Sequence, residues 1–190
     1  KKGMEIFNVG TNYDFYLLQN KITNKNKTII KDIENKIYNI NIHNFKFIPS
    51  GGIELFAKLI AQPGEQTVNV LYDRTLYGSD KNNMNFIKDD KFKYPCCYTI
   101  TIKDGMKLLY SSNKYGHFDI PKVIWSNGLG TYPIIDYDGE YGLTQFSYAI
   151  IDKKENLEKI KNALNSKKFI NLMNYVKFTN NKYNYKVINL

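Results

Sequence analysis

Apolar and polar positions alternate over short runs along most of this chain, and the alternation gives way to a helical period only twice. "YDFYLL" (Tyr13 to Leu18) and "KTIIKDI" (Lys27 to Ile33) read as strands. The Asn- and Lys-rich segment "QNKITNKNK" between them predicts an exposed loop, so the two are expected to form a hairpin. An extended piece, "KIYNINI", follows. Gly51-Gly52 then introduces "IELFAKLIA", where Ile53, Phe56, Leu59 and Ile60 fall on one helical face and predict a short helix. "TVNVLYD" reads as a strand. "YTITIKDGMKLLYSS" reads as a hairpin with Asp104-Gly105 as its two-residue turn.

From Pro121 onward "KVIWS", "PIIDY" and "FSYAIID" continue the strand pattern, with Asp138-Gly139 as a second tight turn. Alternation places Asp136, Asp138 and Glu140 at a strand end facing solvent. Trp125 is expected to pack into the core and the loop from Trp125 to Tyr132 to be presented outward. The pattern then changes. "KKENLEKIKNAL" sets Leu157, Ile160, Ala163 and Leu164 on one face, and "SKKFINLMNYV" repeats the period from Ser166, an N-cap residue. The expected fold is α+β: a mostly antiparallel β-sheet with short helices, two of them near the C-terminus, in a single domain over residues 1–190.

Charge adds a class of partner. Lys and Arg number 27 against 18 Asp and Glu, a formal net charge of +9 and an isoelectric point near 9.3, which favours polyanions. Arg74 is the only arginine. Lysine meets phosphate as a mobile point charge, whereas arginine supplies the fork that reads guanine, so the surplus suits backbone attraction better than base reading. An AT-rich coding sequence enriches the same lysines and asparagines. The adjacent Cys96 and Cys97 cannot bridge each other without strain and have no histidine at zinc-ligand spacing. They imply reduced thiols and a cytoplasmic location, in keeping with the absence of any run of about 18 apolar residues.

Motifs for nucleotide chemistry are missing. No Asn-Pro-Pro or Asp-Pro-Pro occurs, no Gly-Lys-Ser/Thr phosphate loop occurs, and Gly128-Leu129-Gly130 lacks the third glycine of a dinucleotide loop. His43 and His117 stand far apart. Asp136, Asp138 and Glu140 are the one carboxylate cluster with the composition of a magnesium-dependent nuclease site, although Asp138-Gly139 is also what a turn requires. "YSSNKYGHF" and "WSNGLGTY" combine hydroxyls, amides, glycine and aromatics beside Lys114 and Lys122, the residue types that contact base edges and phosphates.

Lys122 to Trp125, Asp136 to Gly142, Thr144-Gln145, the helix start from Leu164 to Phe169, and the N-terminal "GTNYDFYLLQN" together resemble the C-terminal target-recognition region of TaqI-like adenine-specific DNA methyltransferases and the related fused restriction-modification enzymes. The resemblance spans most of the chain, yet that family's S-adenosylmethionine-binding domain and its Asn/Asp-Pro-Pro-aromatic loop have no counterpart here. It implies a double-stranded DNA recognition module without catalysis of its own, separated from its catalyst. S-adenosylmethionine would then belong to an upstream or partner methyltransferase domain. Ser126, Asn127, Thr144, Gln145 and Lys114 become candidates for base-edge contact, Arg74 and His117 further candidates, and Lys122 a phosphate contact. A restriction nuclease fragment and a non-catalytic subunit that recruits or inhibits a methyltransferase are the alternatives.

Overall fold

The structure, a computed structural model, describes residues 4, 7–8, 16–18, 27–45, 47–59, 61, 64–126, 132–179 and 182–183. Within them the chain forms β1 (Thr28–Lys31), β2 (Ile37–Ile40), a 3-10 turn (Ile42–Asn44), α1 (Ile53–Leu59), β3 (Val70–Tyr72), β4 (Met84–Asn85), β5 (Tyr94–Thr101) and β6 (Gly105–Ser111). There follow β7 (Lys122–Ser126), β8 (Ile134–Asp136), β9 (Gly142–Leu143), β10 (Ser147–Ile151), a second 3-10 turn (Lys154–Asn156), α2 (Leu157–Leu164), α3 (Lys167–Tyr175), β11 (Lys177–Thr179) and β12 (Lys182–Tyr183). Pairing is antiparallel except where β9 runs parallel to β5, and two of the helices lie near the C-terminus. The class is α+β, as the pattern predicts.

Two four-stranded sheets, ordered β3-β10-β7-β8 and β4-β6-β5-β9, form the body. β7 explains how they stack. All five of its residues are buried, and in a strand successive side chains leave by opposite faces. Val123 and Trp125 enter a cluster with Phe56 of α1 and with Leu157, Leu164, Leu172 and Met173 of α2 and α3. Ile124 and Ala149, from the opposite face, pack against Cys97, Ile100 and Leu143 of the second sheet. The order is helices, first sheet, second sheet. A strand covered on both sides needs a continuous apolar run, which is why "KVIW" carries no alternation. Trp125, expected in the core, is fully buried there.

Ser166 caps α3 as expected, its hydroxyl accepting from the Phe169 N–H at 3.2 Å. Three local expectations are corrected. β1 pairs with β2, not with the segment before it. Tyr16–Leu18 form no strand, and Tyr13–Phe15 lie outside the described residues. The reason is turn chemistry in "DIENK": the Asp32 carboxylate accepts from the Glu34 and Lys36 N–H groups at 2.8 and 3.0 Å and Asn35 takes a φ of 65°, closing a far shorter loop than the upstream one. The β5–β6 turn is not the dipeptide Asp104-Gly105. Thr101 faces Gly105, so Ile102–Asp104 make the connection and Gly105, at φ 66°, begins β6. Asp138-Gly139 likewise joins no hairpin, because β8 and β9 belong to different sheets.

Asp136 also departs from its expected place at the surface. It is 3 % exposed, and Lys122 is 0 % exposed. The Lys122 Nζ donates to Asp136 Oδ2 at 2.7 Å and to the Ile120 carbonyl at 3.2 Å, while Asp136 also accepts from the Glu140 and Tyr141 N–H groups at 2.8 and 3.0 Å. An ion pair taken out of water survives only when its remaining hydrogen-bonding capacity is filled in this way. Lys122, a candidate phosphate contact, is therefore a core residue.

Trp125→Ala is expected to cost about 3–5 kcal/mol, read as a lower denaturant midpoint at unchanged slope. Lys122→Met, which strands a buried carboxylate, is expected to cost a similar 3–5 kcal/mol or so. Lys154→Met, which breaks the exposed Lys154–Asp138 pair, should leave the unfolding midpoint unchanged; equal effects of the two lysine substitutions would contradict the role assigned to the buried pair.

Candidate nucleic-acid interface

Antiparallel register decides which loops meet. β10 is the shared neighbour: Tyr148 faces Tyr72 of β3 on one side and Trp125 of β7 on the other, and Ser147 faces Ser126. Ile134 of β8 in turn faces Ile124. The segment after Tyr72, the last residue of β7 (Ser126), the first of β8 (Ile134) and the turn before Ser147 consequently lie at one end of the sheet. A further segment joins them from the second sheet, where the Leu143 N–H donates to the Gly116 carbonyl at 2.7 Å and His117 Nε2 lies 3.5 Å from Asp73 Oδ2. Arg74, His117 and Gln145, far apart in sequence, are thereby gathered at this end. Asn127 directly follows Ser126 but lies outside the described residues.

Arg74 is held in a particular way. Its guanidinium carbon sits 5.5 Å from the centroid of the Tyr72 ring, within cation–π range. Tyr72 lies 6.4 Å from Tyr148, and Tyr148 stacks on Trp125 at 6.1 Å and 23° between planes. A ladder of rings thus runs from the surface arginine to the deepest tryptophan of the core. Burial pushes the Tyr148 hydroxyl above the usual phenol range, and the nearby Arg74 charge partly offsets the rise. A cation–π contact of this kind restrains the guanidinium, so less entropy is lost when its fork meets a planar acceptor pair.

The other candidates divide by burial. Ser126 is 2 % exposed and Thr144 0 %. Ser126 donates to the Ile100 carbonyl at 3.0 Å and ties the first sheet to the second, while Thr144 donates to the Cys97 carbonyl at 2.8 Å and ties the chain after β9 to β5 within the second sheet. Gln145 is half-buried, and its Oε1 accepts from the Gly78 N–H at 2.9 Å. That bond uses one of the two lone pairs of the amide oxygen and makes Gln145 a brace for the loop bearing Arg74. Lys114 lies away from Arg74, in a cleft on the second sheet, paired with Asp119 at 2.6 Å. Ser126, Thr144 and Lys122 are thus corrected from surface to core, because alternation along a strand cannot reveal that a second sheet covers its outer face. Tyr72 and Tyr148, missed among the sequence candidates, gave one signal only: aromatic residues in neighbouring strand runs.

Other chemistries find no support in the geometry. Asp136 is committed to Lys122, and Asp138 pairs with Lys154, so Asp136, Asp138 and Glu140 do not converge as a carboxylate site. Cys96 and Cys97 are free and buried, each thiol pushed up to about 12 by burial, far from the thiolate character a nucleophile needs. No described helix is long and apolar enough to cross a membrane.

Comparison with protein-family models, with curated proteins and with solved structures gives no match to this chain.

Ser126→Ala and Thr144→Val each leave a buried carbonyl without its donor and are expected to cost about 1–3 kcal/mol, whereas Arg74→Ala should leave the thermal midpoint unchanged. Paired thermal melts decide it. A large loss for Arg74→Ala with none for the two hydroxyl variants would reverse the division between scaffold and surface.

Proposed function

We propose that this chain is a sequence-specific double-stranded DNA recognition module of an adenine-specific DNA methyltransferase or restriction-modification enzyme, reading a target without catalysing its modification. The observation that carries the reading is the placement of the only arginine. Arg74 rests against a series of rings at the end of the sheet where separate loops converge, and His117 reaches the preceding residue, Asp73. A rigid arginine fork is the commonest reader of guanine O6 and N7 in the major groove. Elsewhere on the surface the exposed Lys81, Lys88, Lys91, Lys93 and Lys103 make no ion pair with described residues, which suits sequence-independent attraction to phosphates. In this reading S-adenosylmethionine belongs to an upstream or partner catalytic domain, with which the chain works in the cytoplasm.

The test begins with selection of duplexes from a random library by the chain joined to its catalytic partner. Arg74→Ala is expected to lower discrimination between selected and scrambled duplexes by about 1–3 kcal/mol. Arg74→Lys keeps the charge and loses the fork, so it should not restore the preference. Affinity for both duplexes should fall linearly on a log-log plot against salt. A library that yields no enriched sequence, or an affinity indifferent to salt, would rule the reading out.

A further inference from the structure

The second sheet carries a cleft of about 580 Å³ that the proposed interface at Arg74 does not use. Tyr94, Tyr110, Phe118 and Tyr141 form its apolar wall, and Tyr94 and Phe118 meet edge to face at 6.1 Å. Its rim holds charges of both signs, mostly cancelled. Lys114 pairs with Asp119 and Lys154 with Asp138. Lys88 and Glu140 remain, exposed and without an ion-pair partner among the described residues.

The rim is fixed by backbone constraints. Gly116, His117 and Asp119 take φ values of 92°, 64° and 60°, a concentration of left-handed residues that costs energy at the two non-glycine positions. The Asp119 N–H donates to the Gly139 carbonyl at 2.9 Å. Gly139, at φ 72°, lies so close that a Cβ would stand 2.2 Å from the Ile120 nitrogen. Glu140 is anchored next to it by its N–H on the buried Asp136. The wall is thus aromatic and the open charges are one cation, Lys88, and one carboxylate, Glu140, whose backbone is held in place.

Tyrosine faces stack on flat π-systems, a lysine suits a phosphate, and a carboxylate accepts from an amine but repels a second anion. An aliphatic chain would leave the tyrosine hydroxyls unused. We propose that the cleft takes one unpaired nucleotide whose base bears an exocyclic amine: the base lies on the aromatic wall, the amine donates to Glu140 and the phosphate meets Lys88. That the nucleotide comes from a DNA strand rests on the recognition reading above; the cleft's chemistry does not.

Calorimetry with dCMP and dTMP compares two pyrimidine monophosphates, one with the exocyclic amine and one with a carbonyl at the same ring position. dCMP is expected to bind about tenfold more tightly than dTMP, one hydrogen bond to a charged acceptor. Glu140→Ala should erase that preference, and Lys88→Ala should weaken both ligands about equally; thermal melts confirm that these exposed substitutions leave the fold intact. Equal affinity for dCMP and dTMP overturns the proposal, as does tighter binding of N-acetyltyrosinamide, which would mark the cleft as a receptor for a protein side chain. A second arm uses a duplex with one unpaired cytosine against its fully paired counterpart. A gain for the unpaired duplex that Glu140→Ala abolishes places the nucleotide in DNA, whereas a response to dCMP alone assigns a free nucleotide. Arg74→Ala should leave dCMP binding unchanged, so failure of duplex recognition and failure of the cleft are separately visible.

Discussion

The buried Lys122–Asp136 pair sits where the chain passes from one sheet to the other, and the geometry of both candidate sites descends from it. Asp136 ends β8, and its two carboxylate oxygens receive Lys122 and the N–H groups of Glu140 and Tyr141. The link to β9 is therefore folded back over the carboxylate. Lys122 reaches the Ile120 carbonyl at the same time, which ties down the loop that bears His117 and Asp119. Burying two charges rarely adds much net stability. What it adds here is uniqueness of path, since any register slip of β7 against β8 would leave a charge unpaired in the core.

Around that fixed crossing the core divides into clusters facing different ways. Helices cover one face of the first sheet through Phe56, Leu157, Leu164 and Leu172, and the second sheet covers the other through Cys97, Ile100 and Leu143. The consequence for function is stiffness at the sheet end. Trp125 is clamped between layers, Tyr148 stacks on it, Tyr72 follows, and Arg74 rests on Tyr72. Each ring is held by a neighbour more deeply buried than itself. A reading side chain supported in this manner loses less freedom on binding than one on a loose loop.

Electrostatics separate along the same lines. The formal excess of +9 is carried at the surface by lysines that compete poorly for specific geometry, whereas the few ionic groups inside the fold do structural work. The hydroxyls of Ser126 and Thr144 behave alike: next to aromatic residues in the sequence, they look available to a base edge, yet each is spent on a backbone carbonyl of β5. Buried hydrogen-bonding capacity must be satisfied internally, and the interface between two stacked sheets is where short polar side chains can do it.

How much of this could be read without coordinates follows from the range of the physics. Class, the helical segments after Gly52 and from Leu157 to Tyr175, the cap at Ser166 and the burial of Trp125 are legible because they depend on periodicity and on neighbours a few residues away. The surplus of lysine and the singular Arg74 are matters of composition. The partner of β1, the burial of Asp136, and the sorting of Lys122, Ser126 and Thr144 out of the surface are not legible. Each depends on partners remote in sequence: Ile100 of the second sheet against Ser126, and Cys97 of β5 against Thr144. Sequence alone determined which residues prefer strand, helix or water. Only the stacking of the second sheet on the first decided which polar residues were left in contact with solvent, because a strand's alternation records two faces but not what covers them.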